Sequence, residues 1–199
     1  MRRVRSLARD EAGATIVEFA LVLAPLLAVV LGFTELAYQS YVRSILQGVL
    51  NDVARIAAVE NPKLGVVSDP LQARIETRVK ERLAPLVKSG TYEFDVRNYK
   101  DFASVGKPEA LVTDVNGNGS YDPGDCWEDS NPNRTFDLDG SRSGVGGADD
   151  VVIYRVTLTA PELLPVAPIV GGDGRFNARA ATTVRIQPYD DQRRPEVVC

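Results

Sequence analysis

Six candidate oxygen ligands crowd one short stretch, DVNGNGSYDPGD, at residues 114–125: Asp114, Asn116, Asn118, Ser120, Asp122 and Asp125. Counted from Asp114, they stand at positions 1, 3, 5, 7, 9 and 12, with Gly119 at position 6. This is the ligand spacing of a twelve-residue calcium loop, in which position 7 lends its backbone carbonyl and the glycine makes a sharp turn. Calcium gathers six to eight hard oxygens at about 2.4 Å, and short side chains on alternate residues converge on one point. Asp125 stands where such loops usually carry the longer Glu, which weakens bidentate closure. Tyr121 takes the place of an apolar anchor. The plain alternative is a solvated cluster of turns, since Asn, Asp and Gly favour turns with no ion present.

A degenerate copy, DSNPNRTFDLDG, begins at Asp129, fifteen residues after Asp114. Asp129, Asn131, Asn133 and Asp137 repeat positions 1, 3, 5 and 9, and Phe136 repeats Tyr121. Arg134 replaces the turn glycine and Gly140 replaces the closing acid, for which Asp139 is a candidate substitute. This loop is expected to be the weaker site, or a relic turn in which Arg134 pairs with a neighbouring Asp. Outside the cytoplasm, where calcium is near millimolar, sites with Kd of about 10⁻⁴–10⁻³ M suffice, and an ion there orders the segment rather than catalysing anything.

Charge and composition narrow the chemistry further. Residues 101–150 hold eleven Asp or Glu against three Lys or Arg, a local charge of −8 in a chain whose net charge is −4. Nucleic-acid binding calls for the opposite sign, clustered. The chain has no histidine, the commonest general base and transition-metal ligand. Its two cysteines, Cys126 and Cys199, are too few for a zinc site. No nucleophile–base pattern is visible, so neither an enzyme nor a small-molecule substrate is expected.

What must position the acidic loops begins with a long apolar helix. MRRVRSLARDEAG carries Arg2, Arg3, Arg5 and Arg9, and the twenty residues Ala14 to Phe33 that follow contain one charge, Glu18. At 1.5 Å per residue they span about 30 Å, the thickness of a bilayer core. The arginines put the N-terminus in the cytoplasm and the rest of the chain outside it. Periodic apolar residues, Leu36, Val42, Leu46, Val49 and Val53 among them, carry the helix on to Asn61-Pro62. Pro25 lies inside the span, either as a kink or as a tolerated proline.

The stretch G-ATIVEF resembles the processing site of type IV pilin precursors: a short basic leader, Gly13, then an apolar helix with Glu18 fifth and Phe19 sixth. Over residues 10–40 it looks most like the TadE-like pseudopilins of tight-adherence (Flp) pilus systems. The resemblance continues more weakly through DVNGNGSYDPGDCW, GGADDVVIYRVTL and ATTVRIQPY. It implies cleavage between Gly13 and Ala14 by a prepilin peptidase. It also implies a Glu18 carboxylate that neutralises the new α-amine of Ala14 in the same or a neighbouring subunit. The implied partners are other pilins and the pilus assembly machinery. The implied location is the bacterial inner membrane, single-pass with the head outside and in place to enter a pilus. The alternative is a single-span anchored calcium-binding adhesion or receptor module unrelated to pili.

The expected architecture is therefore α+β. A leader at 1–13 precedes a long helix at 14–60, transmembrane over about 14–36 and amphipathic after, as in the pilin-like lollipop. The head, 61–199, is expected to be a small antiparallel-sheet periplasmic domain with a calcium-loop insertion at 112–149. Within it the spacing predicts a helix over Asp69–Val87, capped by Asp69, and strands at 91–99, 150–160 and 176–189. PELLPVAPIVGGDG, residues 161–174, is either a partner-binding tip or a loop packed on the sheet. An envelope location permits a Cys126–Cys199 disulfide, which would pin the tail against the first acidic loop.

Overall fold

The computed structural model describes residues 12–65, 68–164 and 171–199, so most of the basic leader and residues 165–170 of the apolar loop lie outside it. One α-helix, α1, runs Ala12–Ala57 and continues through Pro25. Its C-terminal end is set by the chain that follows: the carbonyl of Ala58 accepts the N–H of Gln187 instead of an intrahelical donor. A second helix, α2, spans Leu71–Leu83. It starts two residues later than the expected cap, because Pro70 supplies the N-terminal carbonyl and Asp69 makes no capping bond. It stops before Pro85, which has no N–H to extend it.

Seven strands follow: β1 Thr91–Tyr99, β2 Leu111–Thr113, β3 Cys126–Asp129, β4 Arg142–Ser143, β5 Val151–Pro161, β6 Arg175–Arg185 and β7 Glu196–Val198. They form a four-stranded sheet, β4-β1-β5-β6, and a three-stranded sheet, β2-β3-β7. The predicted α+β class and the three long strands are borne out. The second sheet is additional, assembled from short segments within and after the acidic window. β6 ends at Arg185, four residues short of expectation, where Ile186 donates its N–H to Asp150 and Pro188 cannot continue a ladder.

The chain divides into two compact units. Residues 42–160 and 177–199 form the first, whose core is the apolar stripe Val42, Leu46, Leu50, Val53 and Ala57 of α1, the face Ile75, Val79 and Leu83 of α2, and both faces of β5. β5 is buried from Val151 to Tyr154 without alternation, so both of its faces are covered there. Tyr154 is sealed in this core, and burial pushes its phenol up to about 12.

Residues 1–41 and 161–176 form the second unit. Here the helix carries its apolar side chains outward: Ile16, Phe19, Leu21 and Phe33 are each about two-thirds or more exposed. Glu18 is exposed with them. A helix of this length and composition can cross a bilayer. Two residues past Phe33, Glu35 is only 5 % exposed. Its two carboxylate oxygens accept the N–H groups of Leu163 at 3.3 Å and Leu164 at 3.0 Å. The base of that turn is closed by the Glu162 N–H to the Gly174 carbonyl, and Tyr38 meets Phe176 edge-on.

Candidate metal centre

The first acidic loop hangs between β2 and β3, which pair at Leu111–Trp127 and Thr113–Cys126. The disulfide Cys126–Cys199 and the β3–β7 pairing fasten the same strand to the chain's tail. Inside the loop Asp114 organises the turn. Its carboxylate accepts the N–H of Gly119 at 2.7 Å, of Gly117 at 2.6 Å and of Asn118 at 3.3 Å. Those backbone bonds, Gly119 foremost, hold Asp114 below the usual carboxylate range. Gly119 has φ +75°, where a side chain is disfavoured. Asn116 and Asn118 each donate their amide to the Asp122 Oδ2, at 2.8 and 2.7 Å. Asp125, 1 % exposed, closes the loop by accepting the N–H groups of Val115 and Asp122.

The second loop repeats this scheme fifteen residues on. Asp129 accepts from Asn133 at 3.2 Å and from Arg134 at 2.8 Å, as Asp114 does from Asn118 and Gly119. Asn131 and Asn133 both donate to Asp137 Oδ2 at 2.6 Å. Arg134 takes the glycine's place with φ +59°, a strained value for a residue with a Cβ. Its guanidinium lies 4.0 Å from Glu196, an exposed pairing, and not against a loop Asp. Position 8 is aromatic in both loops, and Tyr121 stacks on Phe136 with centroids 4.5 Å apart over the edge of buried Trp127.

The closing acid of the second loop is Glu109, which the spacing gave no reason to consider. It accepts the N–H groups of Ser130 at 2.7 Å and Asp137 at 3.1 Å, the two positions equivalent to Val115 and Asp122. Gly140, at position 12, has no side chain, and a Cβ built there would meet Glu109 Cγ at 3.2 Å. The glutamate thus fills the place that the glycine vacates. Asp139, the substitute expected from sequence, faces Arg97 at 3.7 Å instead. Burial pushes the Glu109 carboxyl up, and the charges of Asp129 and Asp137 add to that push against the two N–H bonds.

The donor set in each loop is all oxygen, from short side chains on alternate residues, which suits a hard cation. Asn131 Oδ1 is buried and accepts nothing, an orphaned acceptor at position 3 of the second loop. In this arrangement, however, the amide nitrogens of Asn116, Asn118, Asn131 and Asn133 face the position-9 carboxylates. A cation would require those amides to turn about χ2. Among the described residues, no three Asp, Glu or Cys side chains converge as a ready-made ligand set.

The head also holds a cavity of about 420 Å³ beside Asn98, Arg142, Gly146, Asp150, Asp190 and Arg193. Arg142 is bound to Asp150 at 2.8 Å, and Gln192 and Gly147 also donate to Asp150, so these charges serve to fix the β4–β5 turn.

No curated protein and no solved structure matches the chain. Residues 13–55 match the family described as TadE-like protein, so the family resemblance read from G-ATIVEF holds over the helix that carries it.

Proposed function

We propose that this protein is a structural minor pilin or pseudopilin of a tight-adherence pilus, held in the cytoplasmic membrane by α1 with its head outside the cytoplasm. The observation that carries the reading is the TadE-like match over residues 13–55, lying on a helix apolar and long enough to cross a bilayer. In this reading residues 1–13 are a leader, 14–60 the helix and 61–199 the head. Prepilin peptidase cuts between Gly13 and Ala14, a bond in the first described turn of α1. Glu18 then meets the α-amine of Ala14 in its own or a neighbouring subunit, which lowers the cost of holding a carboxylate at the membrane. N-terminal sequencing of the protein from its native membrane is expected to begin at Ala14, and a bulky residue at Gly13 is expected to leave the precursor uncut. A chain that retains Met1 would favour an anchored adhesion or receptor module instead.

The two acidic loops support a further element of this reading, structural Ca²⁺ in the head. Asp114, Asn116, Asn118, Asp122 and Asp125 with the Ser120 carbonyl would hold one ion. Asp129, Asn131, Asn133 and Asp137, closed by Glu109, would hold another. Calcium would supply the positive charge that these carboxylates lack, and binding to the folded head alone would raise its stability. Chelation is expected to lower the melting temperature of the detergent-solubilised protein, with calcium restoring it and magnesium doing so poorly. A melting curve indifferent to chelator and calcium alike would remove the ion from the proposal.

A further inference from the structure

The carboxylate of Glu35 raises a problem that its surroundings solve. If Ala14 to Phe33 fills the bilayer core, Glu35 lies about 3 Å beyond its edge. A carboxylate buried from water at that boundary is costly unless it is satisfied internally. Glu35 is satisfied, by the successive N–H groups of Leu163 and Leu164 and by the Gln39 amide at 3.2 Å. The turn that covers it must then lie at the same depth as the acid. Its exposed side chains are Pro161 and Leu163, the latter 51 % exposed, with Glu162 between them half-buried.

We propose that the turn at 161–164 is a second membrane contact: clasped to Glu35, it seats Leu163 in the boundary between headgroups and acyl chains. The occupant of this surface is lipid, because the exposed side chains of the turn, Pro161 and Leu163, are apolar like those that α1 presents, and Glu162 between them is half-buried. The inference rests on the membrane-anchored reading, and its physical basis is that of other interfacial anchors, apolar area buried in the plane of the bilayer surface. The contact also explains why an acid is placed there: a carboxylate can grip two adjacent N–H groups, which no apolar residue can do.

The test uses the full chain in bilayer nanodiscs of phosphatidylcholine and phosphatidylglycerol. Because Cys126 and Cys199 are bonded to each other, Leu163→Cys creates a single free thiol for a polarity-sensitive nitrobenzoxadiazole label. The expected result is blue-shifted emission that loses most of its intensity to nitroxide lipid labelled near the carbonyl region. The same label at Asp173→Cys, an exposed charged position of the same unit, is expected to stay water-like. Glu35→Ala is expected to cut the quenching at position 163 by at least half, by releasing the turn. Water-like, unquenched emission at 163 would overturn the inference. Blue-shifted emission that nitroxide lipid fails to quench would also overturn it, because protein, a second copy or a neighbour, would then cover Leu163. A label at Phe19→Cys separates the two layers of the argument. If it is quenched while 163 is not, only this inference fails; if neither is quenched, the anchored reading fails with it.

Discussion

The two acidic loops share a hydrogen-bond scheme but not the residues that sequence rules prize. Loop 114–125 has a turn glycine and its own closing acid; loop 129–140 has Arg134 and Gly140 at those places. Yet both place an Asp under the backbone N–H groups of positions 5 and 6, both aim two amides at a position-9 Asp, and both are closed by a buried carboxylate. The second loop keeps its form because Glu109 enters from outside the repeat and because the chain tolerates positive φ at both Pro132 and Arg134. The difference teaches that in such a loop the fixed requirement is the closing carboxylate, while its place of origin in the chain is free. In the loop that spacing ranks second both the first and the closing carboxylate are buried, Asp129 at 3 % and Glu109 at 4 % exposure, whereas in the first loop Asp125 is buried and Asp114 only half-buried.

The largest test of this equivalence acts on both loops at once. β3 joins them, and the disulfide fastens β3 across 73 residues. Reducing it, or Cys199→Ser, is expected to destabilise the head by about 4 kcal/mol in the chain-entropy picture, read by denaturant unfolding with and without reductant. Amide exchange in the two loops should quicken together; quickening in one alone would break the comparison. A smaller effect separates them. Glu109→Ala and Asp125→Ala each strand two backbone N–H groups, at an expected cost of about 1–3 kcal/mol. Glu109→Ala should release the amides of Ser130 and Asp137, and Asp125→Ala those of Val115 and Asp122, in exchange measurements residue by residue. Loss at Val115 in the Glu109 variant would show that the acids are not equivalent. The smallest pair has opposite signs. Arg134→Gly relieves the left-handed backbone and is expected to stabilise, while Gly119→Ala imposes it and is expected to destabilise, each by about 1 kcal/mol. Equal signs would mean that the two turns differ in more than the residue they carry.

Much of this was legible in the residues. The apolar run from Ala14, the stripe Val42 to Ala57 and the alternation of Thr91–Tyr99 announce their elements because burial repeats with the period of the backbone. Loop one was legible because its partners sit within twelve residues. Glu109 was not, because its contact with Ser130 spans 21 residues and follows no period. Nor were β2, β3 and β7, strands of three or four residues whose pairing depends on the tertiary fold rather than on any pattern of their own. Asp69 was misread as a cap because Pro70 fixes the turn before any side chain can.

The position of β7 sets an order of events. β3 pairs on one side with β2, which precedes it closely, and on the other with Glu196–Val198. A ribosome adding about 5–20 residues per second needs several seconds to lengthen the chain from Cys126 to Cys199. Through that interval β3 has one open edge and Cys126 is a lone thiol, presented to whatever oxidant or chaperone meets the emerging chain. The open edge of β3 and the Cys126 thiol are therefore completed only once residues 196–199 have been made, after every strand of the larger sheet.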